Sequence, residues 1–158
     1  MIKTAEDIIN DNKRDPVWIR GDKSVYQAIR LMVEQGIGAI LVKKADRFVG
    51  IFSERDLLRN SAAPDFNPKT ARVSDYMSSP LHCVPHDMQM MNITEKFLGL
   101  FIRHLLVERG ARQIGLLSIG DVMRASLLEQ DRRIRELHEI ASWDYYEDWG
   151  WDKKRPKK

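Results

Sequence analysis

The strongest constraint on the fold of this chain is an internal repeat at a constant offset of 65 positions. Residues 17–59 align with residues 82–124 without a gap. The identical pairs that anchor the alignment are Asp22/Asp87, Ile37/Ile102, Val42/Val107, Arg47/Arg112, Gly50/Gly115, Ser53/Ser118, Asp56/Asp121 and Arg59/Arg124. Because the offset does not drift, the loops keep their lengths as well as the elements, and the chain contains one supersecondary unit twice. We expect function where the two copies face each other.

The length of 158 residues suits two small units that share a core. A unit of about 60 residues buries only about 60% of its chain surface when it folds alone, so it is marginally stable. Packing the two copies against each other removes that difficulty. With 43% hydrophobic and 31% charged residues, the composition is that of a globular protein.

The composition also limits where the protein is expected to work. No apolar run approaches the ~20 residues that span a bilayer, and the first residues lack the basic and apolar regions of a secretory signal. Cys83 is the only cysteine, which excludes an intrachain disulfide and favours a reducing compartment. We therefore expect a cytoplasmic protein without a membrane partner.

The basic character of the chain comes from its last residues. The formal net charge is +3, but residues 152–158 hold five Lys or Arg and one Asp. Without them the chain has 21 basic and 22 acidic residues. A basic tail contacts phosphates without sequence specificity, and the body shows no excess of positive charge. Nucleic acid is therefore not expected as a partner.

The hydrophobic pattern predicts the elements of each copy. In the first copy we predict a capped helix from Thr4, a strand at 17–19, a helix from Ser24 to Gly36, strands at 39–42 and 48–52, and a helix from Ser53 to about Asn60. In the second copy residues 73–77 echo the first helix at an offset of 68, and a strand near Cys83, a Met-rich helix from about Met90, strands at 105–107 and 114–117, and a last helix follow. Strands that alternate with helices in a β-α-β-β-α order indicate the α/β class.

The last helix is longer than its counterpart. We predict that it runs from Ile119 to about Ile140, with a seam of heptad spacing formed by Met123, Leu127, Gln130, Ile134, Leu137 and Ala141. Such a seam needs a partner, which is either its own domain or a second copy of the chain, and we favour a homodimer. Residues 142–158 hold three of the four tryptophans. We expect the aromatic part of this tail to dock and its lysines to be disordered.

The residues that carry chemistry follow a strand in each copy, at 50–56 and 115–121. Each segment contains Gly, two apolar residues, Ser and, three positions later, Asp. One interpretation is structural, because Ser with an acid three residues on is a variant of the helix capping box. The other is functional. The glycine would let a flat ligand approach the backbone. The Asp carboxylate and the Ser hydroxyl would accept hydrogen bonds from the hydroxyl groups of a ribose, and the helix N-terminus would favour a phosphate.

With both repeats taken together, residues 4–128 resemble a tandem pair of CBS domains, the cystathionine-β-synthase-type regulatory module. The Gly-hydrophobic-x-Ser-x-x-Asp segments and the strand entries at 36–42 and 102–107 carry the resemblance. It implies an α/β fold with two repeats about a pseudo-twofold axis and a long C-terminal helix. The implied divisions are repeat 1 at 4–61, a linker at 62–72, repeat 2 at 73–128, a helix extension at 129–141 and a tail at 142–158.

The resemblance further implies two clefts between the repeats for adenosine-type ligands: AMP, ADP, ATP, NAD(H) or S-adenosylmethionine. Each cleft takes its ribose-binding Ser and Asp from one repeat and further contacts from the other. The first cleft would use Ile51, Ser53, Arg55, Asp56, Cys83, Val84, Ile102, Arg103 and His104. The second would use Trp18, Ile19, Ile37, Gly38, Leu116, Ser118 and Asp121.

The first cleft is the better equipped of the two. Arg103 and His104 can donate to phosphate oxygens, and Arg55 lies at a helix start. In the second cleft Gly38 brings no charge, and Trp18 either plugs the space or offers a stacking face. We expect one nucleotide cleft rather than two, with AMP or ATP as ligand and Asp56 more important than Asp121.

The function implied is that of a non-catalytic ligand sensor. Nucleotide binding would couple the repeats and change the shape of a homodimer that a regulated protein recognises. The alternative is an assembly module whose clefts are filled by side chains and whose last helix and tail dock a partner. We expect no enzyme activity and no metal site, because His82, His86, His104 and His138 show no ligand spacing with Cys or acidic residues.

Overall fold

A computed structural model describes residues 3–148, with the side chains of residues 3–140. Six helices and six strands make up this part of the chain. The helices are α1 (Ala5–Asn12), α2 (Val25–Gln35), α3 (Glu54–Ser61), α4 (Val73–Tyr76), α5 (Met90–Leu100) and α6 (Ile119–Asp148). The strands are β1 (Trp18–Arg20), β2 (Ala39–Lys44), β3 (Arg47–Ser53), β4 (Cys83–Pro85), β5 (His104–Arg109) and β6 (Arg112–Ser118). The β-α-β-β-α order predicted for each copy is confirmed.

Two three-stranded sheets of the same topology form the frame of the molecule. In each sheet a short strand pairs in parallel with the middle strand, which pairs antiparallel with the third, in the orders β1-β2-β3 and β4-β5-β6. The registers coincide after the shift of 65, since Ala39 pairs with Ser53 as His104 pairs with Ser118. The irregularity in the antiparallel ladder also recurs, after Val42 and after Val107. The repeat in the sequence is therefore a repeat of the backbone.

The local sequence explains where the helices begin. Thr4 and Ser24 cap α1 and α2 with complete capping boxes. Gly36 ends α2 at φ 62°, in the left-handed region that glycine adopts without a steric penalty. Each of these boundaries agrees with the sequence prediction.

The first helix of each repeat packs on the core of the other repeat. Ala5 and Ile8 of α1 are buried in the core formed by β4–β6, α5 and the start of α6. Val73 of α4, conversely, is buried in the core of β1–β3 and α2. Matching hydrogen bonds hold the two helices, from Ala5 N–H to the Met88 carbonyl and from Val73 N–H to the Lys23 carbonyl, each at 2.9 Å. The sequence boundaries therefore do not coincide with the packed units.

The segment between the repeats is packed, although its prolines indicate a simple linker. Phe66 lies against the first core and makes an edge-on ring contact with Tyr76 at 5.1 Å between centroids. The carbonyls of Pro68 and Ala71 accept hydrogen bonds from the first turn of α2. Residues 62–72 thus help to close repeat 1.

Equivalent residues of the two repeats meet at Phe48 and Gln113. The Gln113 side chain accepts from the Phe48 N–H at 2.7 Å and donates to the Phe48 carbonyl at 3.0 Å. Because these positions are related by the offset of 65, their contact places them beside the axis that relates the copies. Arg47 and Glu108 add an ion pair of 3.9 Å across the same boundary.

The last helix extends further than predicted. It reaches Asp148 rather than about Ile140, so residues 142–148 of the expected tail are helical, and residues 149–158 lie outside the described part. Along the predicted seam Met123, Leu127, Ile134 and Leu137 are exposed on this single chain. Ion pairs one helical turn apart join Glu129 to Arg133 at 3.7 Å and Asp131 to Arg135. No helix among residues 3–148 has the length and apolar character needed to cross a bilayer.

Candidate functional site

A cavity of about 780 Å³ lies between the two repeats, where the starts of α3 and α6 come together. From repeat 1 it is lined by Gly38, Ile51, Ser53, Glu54, Arg55, Asp56 and Arg59, from the segment before β4 by Ser78, Ser79, Pro80, Leu81 and His82, and from repeat 2 by Phe101, Ile102, Arg103, His104, Ser118, Ile119, Gly120 and Met123. Its volume falls in the range of about 300–1,000 Å³ that is usual for small-molecule sites. We refer to it below as the inter-repeat cavity.

The electrostatics of the inter-repeat cavity favour an anion. Arg55, Arg59 and Arg103 outnumber the acidic residues Glu54 and Asp56 in its lining. The first residues of two helices also contribute to the wall, and the positive ends of the helix dipoles attract negative charge. The cavity is therefore suited to a ligand that carries phosphate.

The Ser53–Asp56 segment forms a complete capping box for α3. The Asp56 Oδ2 accepts from the Ser53 N–H at 2.8 Å and from the Ser53 hydroxyl at 2.6 Å. The other oxygen, Oδ1, accepts from the Ser78 hydroxyl at 2.8 Å. A carboxylate has about four acceptor positions, so Asp56 keeps room for one further donor. The structural and functional interpretations of this motif are therefore compatible.

The carboxylate of the equivalent Asp121 accepts fewer hydrogen bonds than that of Asp56. Its Oδ2 accepts from the Ser118 N–H at 2.8 Å and from the Ser118 hydroxyl at 2.6 Å. Within residues 3–140 no hydrogen bond reaches its Oδ1. Asp121 is also more exposed than Asp56, which is 6% exposed.

The two motif glycines serve packing rather than ligand approach. A Cβ on Gly50 would lie 2.3 Å from the Met77 sulfur and 3.0 Å from the Ser78 carbonyl oxygen. A Cβ on Gly115 would lie 2.7 Å from Cδ1 of Ile9. The expectation that these glycines admit a flat ligand is wrong, because Met77 and Ser78, which follow α4, fill the space beside Gly50, and Ile9 of α1 fills the space beside Gly115.

Arg103, which directly precedes β5, and His104, the first residue of β5, both line the inter-repeat cavity. The pKa of His104 is lowered from its ordinary value because burial disfavours the imidazolium, and the positive charge of Arg103 adds to this effect. The carboxylate of Asp121 opposes it in part. A neutral His104 still donates one hydrogen bond, whereas Arg103 supplies a permanent charge.

Three residues expected in the clefts have other positions. Val84 and Ile19 are buried in the cores of repeats 2 and 1, so their side chains do not line a cleft. Cys83 lies outside the lining of the inter-repeat cavity and donates to the Leu81 carbonyl at 3.6 Å. Burial and the nearby Glu108 carboxylate raise the pKa of the Cys83 thiol, which disfavours the reactive thiolate.

The residues assigned to the second cleft are divided between two places. Gly38 and Ser118 line the inter-repeat cavity together with the first-cleft residues. Trp18 lines a different cavity, at the other end of the first sheet, where the Lys43 ammonium lies 4.7 Å from its ring centroid. Ile37 packs against the first core, and Leu116 and Asp121 are half-buried. The structure thus combines part of the second cleft with the first.

Several lining residues were missed from the sequence, and Phe101 is the most informative. It ends α5 at φ 53°, where repeat 1 has Gly36, and its side chain is 85% exposed. A large side chain in the left-handed region stores strain, which is typical of functional sites. A phenylalanine aligned with a helix-ending glycine was the available signal.

Comparisons with known proteins agree with this architecture. The model of the CBS domain family matches residues 5–63 and residues 73–128. A mitochondrial CBS domain-containing protein of Arabidopsis thaliana is 29% identical over 134 residues, which are 82% of this chain and 65% of that protein. The chain thus spans about two thirds of the length of this curated relative.

Solved structures of CBS-domain proteins superpose on most of the chain. A CBS domain protein of Pyrobaculum aerophilum, solved in complex with AMP, is 25% identical and covers 80% of this chain and 97% of its own, with a TM-score of 0.69. A hexameric CBS-CP12 protein from bloom-forming cyanobacteria is 26% identical and covers 90% of this chain and 86% of its own, with a TM-score of 0.70.

Proposed function

Because the chain belongs to the CBS domain family and contains the domain twice, we propose that it is a non-catalytic regulatory module that binds an adenine nucleotide in the inter-repeat cavity. AMP or ATP is the favoured ligand, with NAD(H) and S-adenosylmethionine as the other adenosyl candidates. The observation that carries the proposal is the convergence of the Ser53–Asp56 segment, Arg103 and two helix starts on one cavity. AMP in the related Pyrobaculum protein supports the ligand class.

Each part of the nucleotide has a suitable surface in the proposal. The ribose hydroxyls donate to the remaining acceptor position of Asp56, beside Ser53 and Ser78. The base lies against the apolar surfaces of Ile51, Ile102 and Phe101, since a flat ring gains from aromatic and aliphatic contact. Phosphate groups lie toward Arg103, Arg55 and the helix starts, with His104 as a neutral donor.

The regulatory output in this proposal is a change in how the two repeats are oriented. A ligand that touches both repeats shifts their arrangement only as far as its affinity differs between two arrangements. The exposed apolar side chains of α6 are the proposed contact for a second copy of the chain, whose relative arrangement a regulated protein would recognise. We further propose a cytoplasmic location, although the Arabidopsis relative is mitochondrial.

Isothermal titration of AMP, ATP, NADH and S-adenosylmethionine into protein freed of co-purified ligand tests the proposal. We expect saturable binding of at least one of them and a loss of about tenfold, or 1.4 kcal/mol, in Arg103→Gln. Arg112→Gln is the matched control, because Arg112 lies outside the cavity lining. No binding of any of the four, or equal affinity in the two variants, would reject the adenosyl proposal.

A second function is favoured by one observation, the occupation of both Asp56 oxygens by protein donors. In this alternative the cavity is structural, and the exposed face of α6 docks a partner in an assembly. Analytical ultracentrifugation with and without nucleotide separates the two proposals. An assembly that forms through α6 and ignores all four nucleotides would select the alternative.

A further inference from the structure

A second large cavity lies at the far end of the first sheet, beside the β2–β3 turn. Its volume is about 820 Å³, and its lining includes Trp18, Lys43, Lys44, Arg72 and Ser74. The ladder of β2 and β3 runs from the Ala39–Ser53 pair to the Lys44–Arg47 pair. Five residue steps along a strand separate the two ends by about 17 Å. This turn cavity is therefore distinct from the inter-repeat cavity.

Basic residues outnumber acidic residues in the lining of the turn cavity, which contains Arg20, Lys43, Lys44 and Arg72 but only Asp22 and Asp46 as acids. Arg20 makes two hydrogen bonds to Asp22, at 3.0 and 3.2 Å. Lys43, Lys44 and Arg72 take part in no ion pair within residues 3–140. These three cations surround a space large enough for a small organic molecule.

The second copy of the unit shows what belongs in this position. There the carboxylate of Glu6, on α1, contacts Arg109 and lies 3.0 Å from Nδ1 of His86. Glu6 of α1 aligns with Ser74 of α4 at the offset of 68, and the two residues also have the same backbone position. The Glu6 N–H donates to the His86 carbonyl at 2.9 Å, and the Ser74 N–H donates to the Gly21 carbonyl at 3.0 Å.

The partners of Glu6 also correspond to residues of the turn cavity. Arg109 occupies the last position of β5, as Lys44 does in β2. The first sheet therefore keeps the cation, Lys44, but Ser74 occupies the position of the carboxylate. Glu108 extends the contrast, because it pairs with Arg47 at 3.9 Å, while its counterpart is the basic Lys43.

We propose that the turn cavity binds a small organic phosphate, whose phosphate group takes the place that the Glu6 carboxylate has beside the second sheet. A phosphate dianion matches three unpaired cations better than one carboxylate does, and Arg72 can bind it through two parallel hydrogen bonds. The exposed part of Trp18 provides an apolar surface for the organic portion of the ligand. This site is independent of the nucleotide proposed for the inter-repeat cavity.

The test compares two substitutions at one position, with inorganic pyrophosphate as the titrant at constant ionic strength. Ser74→Glu installs the carboxylate of the other copy, and Ser74→Gln adds a neutral side chain of similar size. We expect saturable binding to the wild-type chain, affinity within about twofold in Ser74→Gln, and a loss of about tenfold or more in Ser74→Glu. Thermal unfolding of both variants checks that each is folded.

Two results would overturn the proposal. One is the absence of saturable pyrophosphate binding to the wild-type chain up to about 10 mM, a concentration that detects even weak sites. The other is equal binding by the two Ser74 variants. Arg103→Gln separates the cavities: pyrophosphate binding that persists in this variant and is lost on adding Ser74→Glu belongs to the turn cavity, and complete loss in Arg103→Gln alone would assign the anion to the inter-repeat cavity instead.

Discussion

Repeat 1 and repeat 2 share one backbone but differ in how their carboxylates are used. In repeat 1 the Asp56 carboxylate is engaged by Ser53 and Ser78, whereas Oδ1 of Asp121 is free within residues 3–140. At the turn end of the sheets the contrast is reversed, because the Glu6 carboxylate lies beside the second sheet, whereas the first sheet has only Ser74 at the equivalent position. The comparison teaches that the two repeats keep the same backbone fold, while single side chains decide which charged groups remain available to bind a ligand.

The largest expected effect is a difference in the free energy of unfolding between variants of the two motif glycines, Gly50 and Gly115. Gly50→Ala should lower the free energy of unfolding by about 3 kcal/mol, because the new methyl group meets the Ser78 carbonyl as well as the Met77 side chain. Gly115→Ala should cost about 1 kcal/mol, since the end of the Ile9 side chain can move aside. Urea unfolding measures both.

The control for these glycine variants is Gly99→Ala. Nothing lies within 4 Å of a Cβ at Gly99, inside α5, and alanine in a helix is about 1 kcal/mol better than glycine. This variant should therefore be more stable than the wild-type chain. Equal costs at Gly50 and Gly115 would show that the two glycine contacts do not differ.

The next effect concerns the two motif carboxylates. Asp56→Ala should lower the free energy of unfolding by about 2 kcal/mol, because it removes the cap of α3 and leaves Ser78 without its partner. It should also weaken nucleotide binding about tenfold, and Asp121→Ala should weaken it less. Titration calorimetry on both variants decides the order, and a greater loss in Asp121→Ala would reverse our ranking of the carboxylates.

A smaller effect distinguishes the two residues that end α2 and α5. Phe101→Gly should raise the free energy of unfolding by about 1 kcal/mol, since it relieves a left-handed backbone at φ 53°. It should nevertheless weaken nucleotide binding severalfold, because the exposed ring is lost from the cavity.

The matched variant for Phe101→Gly is Gly36→Ala, which places a side chain at φ 62° with open space around it. It should lose about 1 kcal/mol. If Phe101→Gly gained stability and bound nucleotide as well as the wild-type chain, Phe101 would have no role in binding.

The smallest effect depends on pH. Because the pKa of His104 is lowered in the folded chain, the unfolded state binds this proton first as the pH falls. The stability contributed by the neutral imidazole is complete above the unfolded pKa of about 6.5 and decreases as the pH falls below it. The stability difference between the wild-type chain and His104→Asn should change by less than about 1 kcal/mol from pH 7.5 to 5.5.

His138→Asn is the control for the pH experiment, because His138 is an exposed histidine on α6. Urea midpoints at several pH values measure the effect. A wild-type chain that gained stability relative to His104→Asn as the pH fell would contradict the direction of the pKa shift.

The duplicated frame could be predicted because local patterns specify it. Ser24 and Gly36 set the ends of α2 through a cap and a left-handed residue, both of which act within a few positions. The resemblance to a tandem CBS pair also implied that Ser53 and Arg103 face one cleft. Both line the inter-repeat cavity, and their roles in ligand binding stay predictions.

The remaining features depend on contacts between distant residues. The apolar side of α1 suits either sheet, so its sequence does not indicate that it packs on repeat 2. Ser78 is 22 positions from Asp56 and carries no signal of their hydrogen bond. The role of Gly50 was likewise misjudged, because Met77, which fills its space, lies in a segment outside the predicted motif.

The crossed placement of α1 and α4 has a consequence for how this chain can be divided. A break in the connection at 62–72 would leave each fragment carrying the helix that completes the other one. Neither half would be expected to survive by itself, yet mixing the two fragments should regenerate the native assembly. The same geometry would let two molecules trade α1 reciprocally, so concentrated samples should be checked for entangled dimers.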